Sequence, residues 1–163
     1  MVSTQTRLGK GLTCIGGWLA VFSFLALPWI SLGLFGSYTA MQIALMAGQG
    51  SGGSGFQWFL LFWLEFLCAA CIAVLSLVAY SKKDREQAIS LAILFLAGLG
   101  LLGVMGMYSL FSQNSLLFIS YTEFIGAGFW CYSVSLALAL AGAIVQRMDS
   151  SSQSGGTGKT PSF

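Results

Sequence analysis

Histidine is absent from the 163 residues, and only 7% of them are Asp, Glu, Lys or Arg. Without histidine there is no imidazole to bind a metal, hold a haem or serve as a general base. A soluble domain carries about a quarter charged residues, so the composition excludes an ordinary soluble fold. The net charge of +2 offers no basic field for nucleic acid. The four cysteines (Cys14, Cys68, Cys71 and Cys131) all lie inside apolar runs. A secreted disulfide framework would place them in loops at paired spacings, so they read as small packing residues.

What the chain has in abundance is apolar side chains, 56% of the total. That excludes disorder for most of its length. Four stretches reach the roughly 20 residues that cross a bilayer as a helix: 12–35, 56–80, 88–111 and 124–145. Lipid cannot satisfy an open backbone, so spanning segments must be helices or closed barrels. These runs do not alternate as barrel strands do. The expected fold is all-α: an integral membrane, antiparallel four-helix bundle over residues 1–147, followed by a disordered cytoplasmic tail at 148–163. The first run exceeds the h-region of a signal peptide, and no small-residue cleavage site follows it. It reads as a retained helix, with Pro28 near its outer end.

The basic residues set an orientation. Arg7 and Lys10 precede the first span. Lys82, Lys83 and Arg85 separate the second and third, and Arg147 and Lys159 follow the fourth. These seven are every Lys and Arg in the chain, and four spans put all of them on one side. The positive-inside rule makes that side the cytoplasm, with both termini in. Trp29, Trp58, Tyr108 and Tyr121 fall near the outer interface and Tyr80 near the inner one, where aromatic belts sit. The Gly/Ser-rich stretch 48–55 reads as a mobile outer loop.

Three motifs resemble chemical sites and lack the context that makes them work. Gly98-Leu-Gly100-Leu-Leu-Gly103 fits a dinucleotide fingerprint, but no strand precedes it and Gly106 continues the series inside an apolar span. Glycines there let helices approach closely. The tail Gly155–Thr160 lacks the first glycine of a phosphate loop, since Gln153 stands in its place. Cys68-Ala-Ala-Cys71 is a C-x-x-C pair of the kind used by four-helix disulfide-forming and vitamin K epoxide reductase-type enzymes. Those enzymes need a second, outer pair, and the outer loops here hold no cysteine.

Glu65 is the ionisable residue deep inside a span. It lies about 13 Å along the helix from Phe56, near mid-bilayer. A charge there costs roughly 3 kcal/mol on insertion scales, so such groups face the bundle or a wet cavity. Its helical neighbours Cys68, Ala69, Ile72, Ala73 and Ser76 form a mostly small face. Two readings stand: a proton or cation site, or a carboxyl hydrogen-bonded to another helix. In the fourth span Ala127, Cys131, Ser135, Ala139 and Ala143 recur every four residues and make a flat ridge. That ridge suits packing inside the bundle, or a second copy or another membrane subunit. Glu123 reads as interfacial, and Gln42 and Gln57 flank the first outer loop.

The segment 27–44 runs Pro-Trp, then a small-residue loop, then Gln-hydrophobic-Ala. It resembles a pattern in uncharacterised bacterial four-span membrane proteins. The resemblance implies four-helix topology and a bacterial plasma membrane, and no activity. Claudin-like tetraspans need cysteines in the first outer loop, and this one has none. No nucleophile, base and electrophile come together in sequence. The expectation is therefore a non-enzymatic membrane protein without catalytic residues, metal or cofactor. It would act as an accessory or assembly subunit, with the lipid bilayer, a second copy or another membrane subunit as partner. The alternative is a small oligomeric proton-coupled transporter or channel using Glu65. It is similar in parts to the small multidrug transporters, which carry their carboxylate in the first helix.

Overall fold

A computed structural model describes residues 4–32, 36–49, 53–81, 85–113, 115–116, 119–120 and 125–154. The chain is all-helical apart from two short hairpins. In order it runs α1 (Thr4–Ala26), β1 (Pro28–Ser31), β2 (Ser37–Thr39), α2 (Ala40–Gln49), α3 (Gly53–Ser81), α4 (Glu86–Gln113), β3 (Ser115–Leu116), β4 (Ile119–Ser120) and α5 (Ala127–Ser154). Among the described residues there are five helices, of which all but α2 are long and apolar enough to cross a membrane. Their outward faces are apolar too: Leu60, Leu64, Leu67, Val74 and Leu77 all lie exposed along α3. A helix that is hydrophobic all round needs an apolar surrounding on every side.

Each long helix packs on two others. α1 lies against α3 and α5, and α4 lies against α3 and α5. The diagonals of this ring are therefore α1–α4 and α3–α5. One end of the ring carries Trp29, and the other carries Lys10.

Two expectations about the connections are corrected. The first apolar run does not continue as helix to Phe35, because α1 stops at Ala26. Proline lacks the N–H a helix needs and disfavours helical backbone at the residue before it, here Leu27. The chain turns into β1, which pairs antiparallel with β2 around Gly36. Gly36 has φ +107°, and its carbonyl accepts the Leu32 N–H at 2.8 Å. The stretch beyond β2 is not a plain loop either. Thr39 and Gln42 form a reciprocal capping box: Thr39 N–H donates to Gln42 Oε1 at 2.9 Å, and Gln42 N–H donates to Thr39 Oγ1 at 3.3 Å. That pairing satisfies two donors at the start of α2. At the far end of the chain α5 continues to Ser154, into the segment expected as a disordered tail. Residues 155–163 lie outside the described residues, as do Tyr121 and Glu123.

Trp29 is 2% exposed and packs inside the bundle, near one end of the ring. The register slips between Pro28 and Ile30, which makes Trp29 the extra residue of a β-bulge. Bulges re-aim a side chain. Here the indole Nε1 donates to the Ser23 carbonyl at 3.1 Å. That carbonyl is one of the last four of α1, which have no partner within the helix. The ring thus caps α1 while filling the interior.

Candidate functional site: a carboxyl enclosed by three helices

Glu65 projects from the middle of α3 into the interior and is 1% exposed. The small face below it, Cys68, Ala69, Ile72, Ala73 and Ser76, is buried along its whole length. Across the α3–α5 diagonal, the Tyr132 hydroxyl approaches the Glu65 main-chain carbonyl at 2.7 Å and Oε2 at 3.0 Å. One hydroxyl thereby joins the side chain and the backbone of α3 to α5. From α4, Gly100 and Gly103 make room for the carboxyl. A Cβ at Gly103 would collide with Oε1, and one at Gly100 would stand 3.3 Å from Oε2. Three helices thus contribute to one polar site: a carboxyl, a hydroxyl and two absent side chains.

The site is closed on both sides along the helix axes. Toward the Trp29 end lie Phe24, Trp29, Phe62 and Phe129. Trp29 stands 5.5, 5.6 and 5.6 Å from the other three ring centroids, and 5.0 Å from Tyr132. Toward the Lys10 end, Ile72, Ile93 and Leu136 are fully buried in the same hydrophobic cluster. They lie one to two turns from Glu65, Gly100 and Tyr132 on α3, α4 and α5, so aliphatic side chains fill the next layer of the ring.

A second polar layer lies at the Lys10 end. Lys10, on α1, is 6% exposed and pairs with Glu86, on α4, at 3.0 Å. This pair spans the other diagonal. Beside it Gln146 Nε2 donates to Thr13 Oγ1 at 3.2 Å, and Ser90 Oγ donates to the Ala143 carbonyl at 3.0 Å. Along α4 this layer runs from Glu86 to Ser90, about 21 to 15 Å from Gly100 at 1.5 Å per residue, so the two polar layers are separate.

The glycine series divides between two faces. Gly100 and Gly103 face Glu65, whereas a Cβ at Gly98 or Gly106 would meet nothing within 4 Å. At 100° per residue Gly103 stands about 60° round α4 from Gly100, Gly106 about 60° further, and Gly98 about 80° beyond that. The α5 ridge divides too. Ser135, Ala139 and Ala143 are fully buried, while Cys131 is half-buried and Ala127 exposed. The buried part meets glycines of α1. A Cβ at Gly16 would stand 2.6 Å from the Ser135 carbonyl oxygen and 2.7 Å from Ala139 N. Ser135 Oγ donates to the Cys131 carbonyl of its own helix at 2.6 Å, not across the contact. Of the C-x-x-C pair, Cys68 is buried and Cys71 exposed, and both are free thiols.

Sequence reasoning missed Tyr132, Trp29, the Lys10–Glu86 pair and the α1 glycines Gly9, Gly16 and Gly17. A usable signal existed for the glycines, since Gly9, Thr13, Gly16 and Ala20 follow the small-residue spacing of close helix pairs. Comparisons of the chain with protein-family models, with curated proteins and with solved structures each return no match.

Proposed function

We propose that the chain is a non-enzymatic integral membrane protein, a four-helix bundle with both termini on the cytoplasmic side of a bacterial plasma membrane. In this reading it works as an accessory or assembly subunit. The observation that carries the reading is the closure around Glu65. The carboxyl is tied to Tyr132, seated against Gly100 and Gly103, and bounded by aromatic rings on one side and aliphatic residues on the other. A carboxyl engaged in this way holds α3, α4 and α5 together. The second polar layer, from Ser90 to Glu86, begins about 15 Å away along α4. Orientation rests on the one-sided distribution of Lys and Arg. The bacterial setting rests on the resemblance of segment 27–44. The outward apolar faces are the surfaces available to a partner subunit.

The test is purification of the tagged protein from its own membranes in mild detergent, with mass spectrometry of what co-elutes. A different polypeptide at fixed stoichiometry is the expected result. A homo-oligomer alone, with proton flux in liposomes, would contradict the assignment. That outcome belongs to a second reading, a small oligomeric proton-coupled transporter or channel. One observation favours it: Glu65 and Tyr132 place a carboxyl and a hydroxyl 3.0 Å apart within a span, and intramembrane carboxylates mark proton relays in pumps and transporters. Loss of flux in Glu65→Gln at unchanged protein level would establish that reading.

A further inference from the structure

The polar layer at the Lys10 end places more than its own members. Lys10 of α1 meets Glu86 of α4 at 3.0 Å, and Gln146 of α5 meets Thr13 of α1 at 3.2 Å. Arg7 stands one turn before Lys10, Arg85 directly before Glu86, and Arg147 directly after Gln146. The buried contacts therefore hold three arginines, from three parts of the chain, at one end of the ring. All three are exposed, and among the described residues none of them is in an ion pair. Glu86 does not neutralise its neighbour Arg85. Its Oε2 is held by Lys10, and its Oε1 is buried without a hydrogen-bond partner. In this layer the lysine faces inward and the arginines face outward. The other end has no counterpart, because no Lys or Arg occurs in 11–81 or in 86–146.

Three unpaired guanidinium groups attract anions, and their surroundings choose among anions. Leu8, Leu91, Ile144 and Met148 lie exposed within two turns of the arginines. The matching partner thus carries negative charge directly beside hydrocarbon, which is the make-up of an anionic phospholipid. An acidic segment of a soluble protein would match the arginines and leave these apolar side chains uncovered. Guanidinium also suits the phosphate of such a lipid, since its planar fork donates two parallel hydrogen bonds to phosphate oxygens. Its long stem lies along apolar surface while the charged head reaches the interface.

We infer that Arg7, Arg85 and Arg147 form a belt that binds the phosphate headgroups of anionic phospholipids, in the leaflet that meets the Lys10 end. The Lys10–Glu86 pair and Gln146 set the level of the belt from inside the bundle. The inference rests on reading the chain as a membrane protein and adds which lipid it selects.

The test is electron paramagnetic resonance of the full chain in phosphatidylcholine bilayers that contain a trace of spin-labelled phosphatidylglycerol or spin-labelled phosphatidylcholine. The share of each label held motionally restricted at the protein gives their relative association. Phosphatidylglycerol should associate about fivefold more strongly at low ionic strength, the factor equivalent to the roughly 1 kcal/mol by which a basic residue attracts an anionic surface. Salt at about 1 M, where the Debye length is about 3 Å, should remove most of that preference. Arg7→Gln, Arg85→Gln and Arg147→Gln together should abolish most of it. Arg7→Lys, Arg85→Lys and Arg147→Lys together keep the charges, and should retain most of it. Inorganic phosphate in place of chloride at equal ionic strength should leave the preference unchanged. Its loss there would assign the arginines to free phosphate and overturn the lipid. Equal association of the two lipids would overturn the belt, leave the membrane reading standing and give the arginines to an acidic face of a partner subunit. A preference that the glutamine variant keeps in full would overturn the belt as well. Absence of any restricted label would overturn the membrane reading and the belt with it.

Discussion

Around Trp29 the space between helices is taken by rings, whereas around Gly16 the backbones themselves touch. At the Trp29 end, Phe24, Phe62, Phe129 and Tyr132 surround an indole delivered by a strand, not by a helix. At the Lys10 end, Gly9 and Gly142 oppose each other across α1 and α5, and Gly17 lies on the backbone of Ala73 in α3. In water, both ends would be driven together by the hydrophobic effect. In lipid, the surrounding proposed above, that drive is missing between helices, and close packing and internal hydrogen bonds take its place. The glycine end is built for backbone approach. The aromatic end fills the space between helices with rings around the β-bulge, and backbone approach there is to the strand, with Gly126 and Gly128 against the Pro28 carbonyl. Glu65 lies where the two kinds of packing meet.

The sharpest way to break this contrast is Trp29→Ala. It removes the central ring and frees the Ser23 carbonyl, and large aromatic truncations cost about 3–5 kcal/mol. Thermal unfolding in detergent should show the largest loss of all single variants. Gly16→Val attacks the opposite end. Its side chain would meet the backbone of Ser135 and Ala139, which cannot move aside, at a cost of about 1–3 kcal/mol or more. Gly98→Val, with open space around it, should be neutral or stabilise by about a few tenths of a kcal/mol, since valine is the better helix former.

Gly103→Ala sharpens the comparison at the junction. Alone it should destabilise by about 1–2 kcal/mol, because the new methyl takes the place of Glu65 Oε1. In a Glu65→Ala background the same change should be nearly neutral, so a double-mutant cycle reads the contact directly. Tyr132→Phe should cost less than Gly103→Ala, about 0.6 kcal/mol and at most about 2, as interhelical hydrogen bonds in membranes usually measure. An effect on the scale of Trp29→Ala would mean that the hydroxyl carries the site and the rings do not.

Much of this architecture is legible in the residues, and the illegible parts have physical reasons. Four helices follow from apolar length, and Glu65 stands out because a carboxyl is costly among leucines. Its partner does not stand out, since Tyr132 lies 67 residues away and only the fold brings the two together. Trp29 reads as an interface anchor because its neighbour Pro28 ends an apolar run. Nothing local reveals the one-residue slip that turns the indole inward. The Thr39–Gln42 capping box was open to view, two positions at the spacing that starts a helix, but a Gly-rich stretch follows it and masks it. The α4 glycines read as one series because spacing alone was counted. What separates them is the neighbouring helix: Glu65 lies against Gly100 and Gly103, and a Cβ at Gly98 or Gly106 would meet nothing within 4 Å.

The central claim is that Glu65 serves its own chain from within a sealed interior. The direct measurement is modification of Glu65 by a hydrophobic carbodiimide in intact membranes, followed by mass spectrometry of the α3 peptide. The account predicts that Glu65 stays unmodified in the folded protein and reacts once the protein is unfolded in harsh detergent. Reaction of Glu65 in the folded protein at the rate seen after unfolding would contradict it, and would open the carboxyl to protons, ions or lipid-borne ligands.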